Sequence, residues 1–292
     1  MSTTCSFYFL GAELSNILPS FHEKKEHSHA LKRKNSQENC IDLSSFEFRV
    51  YSQFNEDGVL EKIFKTIGTQ SKFYVEFGTE SGYACNTHLL RENEWDGLLM
   101  DGGWEIPEIN LFQEFITAEN INGLFKKYNV PDEIDLLSID IDFNDFYVWY
   151  ALNYKPRVVV IEYNATHLPN QDKVVIYDPY YKWDGTNYFG ASILALYHLG
   201  RYKGYSLVYA ESHGANLFFI RDDIIESLEK EGITFRNINK VSKIYRPPRY
   251  IGRPAHGPNG GHGQDPQNRP YTSFRDIIAG KAPLYLSHSN FF

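Results

Sequence analysis

Short apolar runs, most of them closed by an acidic side chain, recur through the middle of this sequence. Phe73-Tyr74-Val75-Glu76-Phe77 leads into a glycine turn. Leu98-Leu99-Met100 ends at Asp101, Leu136-Leu137-Ser138-Ile139 at Asp140, and Val158-Val159-Val160-Ile161 at Glu162. Runs that are continuous rather than alternating are the pattern of strands buried on both faces, so the expected fold is α/β, with a parallel sheet covered by helices. Residues 111–116 read as a further strand. Val59, Leu60, Ile63, Phe64 and Ile67 share one face at helical spacing, and residues 120–128, 145–153 and 191–201 carry helical patterns too. Residues 205–209 and 216–220 are close enough in sequence to form a terminal antiparallel pair.

The flanks differ in character. Residues 20–40 are polar and charged, with Lys32-Arg33-Lys34 among them, and read as a solvated segment. Residues 252–270 are rich in Gly, Pro and Asn and cannot hold a helix or central strand. The expected organisation is an N-terminal extension over 1–45, one folded domain over 46–245, and a Gly/Pro-rich loop and tail over 246–292. A formal net charge of −8 repels phosphate backbones and disfavours a nucleic-acid partner. Cys5, Cys40 and Cys85 are odd in number and form no CxxC pair, which argues against a disulfide framework and a zinc ribbon. With no signal-like N-terminal pattern and no run of eighteen apolar residues, a cytoplasmic protein without a membrane span is expected. Whether it forms a homo-oligomer is open. Aromatic residues make up 16% of the chain, enough to fill a core with rigid rings and still leave Tyr and Trp for a pocket wall.

Candidate chemistry begins at the glycine turn, Gly78-Thr79-Glu80-Ser81-Gly82, between a strand and a helix starting near Cys85. Glycines there let backbone approach a ligand, although a tight βα turn alone would also require one. The turn lacks the G-x-G-x-x-G of dinucleotide dehydrogenases. Asp101 closes the neighbouring strand about twenty residues further on, where an acidic side chain accepts ribose hydroxyl protons; an adenosine-type ligand follows.

With Tyr51-Ser52-Gln53-Phe54-Asn55-Glu56-Asp57-Gly58 ahead of these elements and Asp135-Leu136-Leu137-Ser138-Ile139-Asp140-Ile141-Asp142 behind them, residues 50–222 resemble the FkbM-type branch of class I S-adenosylmethionine-dependent methyltransferases. The resemblance implies a Rossmann-like, seven-stranded, mostly parallel sheet with helices on both faces and a reversed last strand. It also implies methyl transfer from S-adenosylmethionine, usually to oxygen. Glu76, Gly78 and Gly82 would hold the methionine part of the cofactor, Asp101 the ribose and Glu119 the adenine region. Glu80 departs from the family pattern, which has a small residue there in many members.

A second constellation is acidic. Asp140, Asp142, Glu162 and Asn164 fall at the carboxyl ends of two strands, where an open α/β sheet places its ligand crevice. Oxygen donors without a soft ligand suit Mg²⁺ or Ca²⁺, and a metal there would lower the pKa of a substrate hydroxyl. The competing reading is that Asp142 or Asn144 caps the following helix and that one acid, Asp140, binds the cofactor amine. His213 and His167 lie in loops beyond strand ends and are the expected general bases, with Asp140 the third catalytic candidate. The aromatic stretch 177–189, with Tyr181, Trp183 and Tyr188, would form the acceptor wall, unless its rings merely pack on one another. The expected function is methylation of a small-molecule or carbohydrate hydroxyl, assisted by Mg²⁺ where the metal reading holds. The rival readings are a non-catalytic nucleoside-binding module and a nucleotide-dependent oxidoreductase.

Overall fold

The computed structural model describes residues 39–250 and 261–282. The basic cluster Lys32-Arg33-Lys34 lies outside the described residues.

Seven strands form the central sheet: β1 (Phe73–Phe77), β2 (Asp96–Asp101), β3 (Leu111–Gln113), β4 (Leu136–Ile139), β5 (Val158–Glu162), β6 (Tyr205–Ala210) and β7 (Asn216–Arg221). Their order is β3-β2-β1-β4-β5-β7-β6. Every neighbouring pair from β3 to β5 is parallel, whereas β7 runs antiparallel to both β5 and β6. Strand β3 stops at Gln113, short of the expected residue 116, and Glu114 continues only one bond to the carbonyl of Asp101.

The continuous apolar runs are buried on both faces, as the side-chain alternation of a strand requires. Val75, Phe77, Leu98, Met100, Leu137, Ile139, Val159 and Ile161 point to one core, which is closed by helices α3 (Ile121–Lys127), α4 (Asp145–Ala151) and α5 (Ile193–Lys203). Tyr74, Leu99, Leu136, Val158 and Val160 point to the other, beneath α1 (Glu56–Ile67), α2 (His88–Glu92) and α6 (Asp222–Lys230). Helix α6 is not among the expected elements.

At the amino ends of the strands, the fully buried Asp135 accepts backbone N–H groups from Gln70, Ser71 and Lys72 and pairs with Arg157 at 2.5 Å. This one carboxylate ties the approach to β1 to the starts of β4 and β5. Within the expected tail, Tyr271–Thr272 pairs antiparallel with Val174–Val175, and α7 (Phe274–Ile278) packs on the first core through Phe274 and Ile277. No helix among the described residues is long and apolar enough to cross a membrane.

Candidate active site

A crevice of about 490 Å³ opens over the carboxyl ends of β1, β2 and β4, where the strand order changes direction. Its volume falls in the range of about 300–1,000 Å³ usual for small-molecule sites.

The glycine turn forms one side. Gly78 has φ +67°, and a Cβ there would lie 1.6 Å from the carbonyl oxygen of Asp140. Its glycine is therefore demanded by the close approach of the β1 and β4 ends, whatever ligand the turn meets. Gly82, at φ +70°, would crowd Ile109 and does not line the crevice. Glu76 lines it, but its carboxylate accepts the N–H groups of Asn86 and Thr87 and the hydroxyls of Thr87 and Ser138. Its work in this structure is to hold the loop before α2 against the sheet. Asp101 accepts from the N–H of Glu80 at 2.9 Å with one oxygen and from that of Gly103 at 2.7 Å with the other. Each oxygen keeps a lone pair for a further donor, and Asp101 faces the same crevice as Gly78. Glu119 lies off the crevice, hydrogen-bonded to the hydroxyl of Tyr177 at 2.5 Å.

The floor is acidic, with a different membership from the expected one. Donor oxygens of Asp140, Asp145 and Glu162 lie within 4.8 Å of one another. Asp142 and Asn164 do not join them. Asp142 sits at φ +65° on the rim, its carboxyl raised by burial and then by the charges of Glu80 and Asp101. Asn164 is consumed: it donates to the carbonyls of Asn187 and Phe189, and its oxygen accepts from Thr166, so it anchors the aromatic loop. Neither expected cap forms, since Asn144 makes no side-chain cap bond; Asp145 instead accepts the Ile141 N–H at 2.8 Å with Oδ1. Its Oδ2, with Glu162 Oε2, Asn144 Oδ1 and Asn216 Oδ1, is buried without a partner. Burial lifts the carboxyl of Asp145 to about 7 and those of Asp140 and Glu162 well above the usual carboxylate range, with the neighbouring acids adding to each shift. The signal that Asp145 belongs here was its spacing of five from Asp140, which one tight turn closes.

Neither expected histidine lines this crevice. His213 stacks on Phe54 and binds Glu211 through Nδ1 at 2.5 Å. His167 is buried in a separate cavity with Lys173 and Tyr271, and burial, aided by the charge of Lys173, pushes its pKa down to about 3. It is neutral at physiological pH and distant from the candidate chemistry.

Tyr181 and Trp183 do line the crevice, Tyr181 resting on Phe143 with ring centroids 4.1 Å apart. Tyr188 does not: it is fully buried and donates to the carbonyl of Pro270 at 2.9 Å. Sequence reasoning missed Arg269, which organises this loop. Its guanidinium binds Asp184 at 2.7 Å, Asp265 at 3.1 Å and the Tyr181 hydroxyl, and lies 4.2 Å from the Tyr188 ring centroid.

No protein-family model matches this sequence, and no curated protein matches it significantly.

Proposed function

We propose that the protein is an S-adenosylmethionine-dependent methyltransferase on a Rossmann-like sheet, acting on the hydroxyl of a small molecule or carbohydrate. The observation that carries this reading is the pairing of Asp101 with the Gly78 turn on one crevice at the point where the strand order reverses. Asp101 holds both ribose hydroxyls, and the backbone of the turn meets the methionine part. The reversed β7 beside β5 agrees with the arrangement that the FkbM-type resemblance implies.

Methyl transfer from a sulfonium needs the acceptor aligned with the methyl group and its proton removed. Tyr181 and Trp183 supply the aromatic wall that orients the acceptor. With both histidines elsewhere, proton removal falls to the crevice acids, foremost Asp140, whose raised pKa makes it a stronger base than an ordinary carboxylate once ionised. The formal charge of −8 speaks against a nucleic-acid acceptor.

Calorimetric titration with S-adenosylmethionine and S-adenosylhomocysteine tests the cofactor. Both should bind, and Asp101→Ala should weaken them by about 10–150-fold, since a hydrogen bond to a charged group contributes about 1.5–3 kcal/mol. Absence of binding by the wild type, or equal binding by Asp101→Ala, would sink the reading. Binding without transfer of labelled methyl to any component of a metabolite extract would leave a nucleoside-binding module instead.

A further inference from the structure

Beneath the crevice the protein gathers oxygen acceptors and leaves one oxygen on each of Asp145, Glu162 and Asn216 without a donor. We propose that Asp140, Asp145 and Glu162, with the amide oxygen of Asn216, form a binding site for a hard divalent cation of the Ca²⁺ or Mg²⁺ class. The site depends on the methyltransferase reading only for its role in turnover.

Three parts of the fold build it. Asp140 follows β4 directly and faces the crevice, Glu162 ends β5, and Asp145 is folded back by the bond from the Ile141 N–H to its Oδ1. Asn216 begins β7 opposite Glu162 in the antiparallel register, donates its amide N–H to Glu56 at 2.9 Å and leaves its oxygen unpartnered. Asp145 is 1% exposed and Asn216 3%, so water does not satisfy their free oxygens from bulk solvent. Unpaired buried acceptors are uncommon in native proteins, and here Asp145 Oδ2, Glu162 Oε2 and Asn216 Oδ1 remain so in neighbouring side chains.

The charges acting on the cluster are of one sign: Asp142, Glu76 and Glu56 on Asp140, and Asp142 on Glu162, besides the three acids themselves. A substrate or cofactor ammonium would bring one positive charge and three N–H donors, too few for three carboxylates and an amide oxygen. A divalent cation supplies two charges and takes six to eight oxygens. The span of 4.8 Å or less matches ligands on opposite sides of Ca²⁺, about twice 2.3–2.6 Å. Mg²⁺, at about 2.0–2.1 Å, would need the side chains to close slightly. The donor set is all oxygen, which favours these ions over zinc. A cation held there, with Asp140 and Asn216 on the crevice side, would polarise an acceptor hydroxyl and lower its pKa, taking over proton removal from Asp140 as base.

The test uses the full chain, stripped with chelator and titrated with Ca²⁺, Mg²⁺ and Tb³⁺ separately, following thermal stability and terbium luminescence. Ca²⁺ and Mg²⁺ should each raise the melting temperature, Ca²⁺ at the lower concentration, and both should quench bound-terbium emission. Asp145→Asn and Glu162→Gln should abolish these responses. Because each removes a carboxyl from a crowded acidic cluster, each should also melt no lower than the stripped wild type, so lost binding is distinguishable from lost folding. No response to any of the ions at millimolar concentration, or an undiminished response in both variants, overturns the site. S-adenosylmethionine titrated into the stripped protein reads the methyltransferase proposal separately, since its failure leaves the cation result standing and the reverse also holds.

Discussion

A methyl group on Gly78 would lie 1.6 Å from the carbonyl oxygen of Asp140, so the turn proposed to meet the cofactor and the start of the acidic floor are in backbone contact. No rotamer relieves a clash between a Cβ and a carbonyl. Gly78→Ala also has to hold φ +67°, which costs a non-glycine residue about 1–2 kcal/mol, and overpacking adds about 1–3 kcal/mol. The expected loss is about 2–5 kcal/mol in urea unfolding, together with loss of cofactor binding. Gly204→Ala is the control. It lies in the left-handed region at φ +84° with nothing within 4 Å of the added Cβ, and should lose only the conformational part, about 1–2 kcal/mol. Equal losses in the two variants would show that the β1–β4 approach is not what demands Gly78.

His167 makes the fold sensitive to acid. Its pKa is about 3 in the folded protein against 6.5 when unfolded, so the unfolded chain binds the extra proton between those values. Stability contributed by the neutral ring is therefore full above pH 6.5 and is lost as pH falls towards 3. At pH 5 the loss is about 2 kcal/mol by this linkage. Unfolding in urea at pH 7 and pH 5 should show His167→Phe losing about 2 kcal/mol less than the wild type over that interval. An identical decline in both would place the acid sensitivity elsewhere.

How far the sequence discloses this structure depends on the range of the interaction involved. The strands Phe73–Phe77 and Leu136–Ile139 and the helix Glu56–Ile67 are readable from local runs and spacing, because burial on two faces or one stripe leaves a direct pattern. Helix Asp222–Lys230 had its signal in Ile224, Ile225 and Leu228, but it begins immediately after the last strand with no side-chain cap and is easily absorbed into it. The crevice end of Asp101 follows from strand order alone. At the site, the clearest departures concern side chains whose direction is set by partners that the local pattern does not reveal. Asn164 looks like a ligand until its amide is claimed by Asn187 and Phe189, more than twenty residues away, and His213 looks free until Glu211 and Phe54 hold it. Arg269 is invisible in sequence because all that marks it is a Gly/Pro-rich neighbourhood, whereas its partners lie some 85 residues upstream.

Arg269 makes the last prediction separable from the rest. It sits between Asp265 in its own segment and Asp184 and Tyr181 in the aromatic loop, with 9% of its side chain exposed and 7% of that of Asp265. Replacing it with Met keeps the aliphatic stem against Tyr188 but leaves the buried Asp265 without a counter-charge, held only by the backbone N–H groups of Gln267 and residue 269, which costs about 1.5–3 kcal/mol. The loop carrying Tyr181 and Trp183 would then lose its anchor, while the Gly78 turn and Asp101 make no contact with Arg269 and keep theirs. Arg269→Met should accordingly bind S-adenosylmethionine with unchanged affinity and be cleaved faster by protease within residues 177–189. Its methyl transfer should slow by about a hundredfold, the penalty typical of a reactant displaced by an ångström. If cofactor affinity falls in step with turnover, the loop serves the nucleoside rather than the acceptor, and the division of the crevice into a cofactor side and an acceptor wall is wrong.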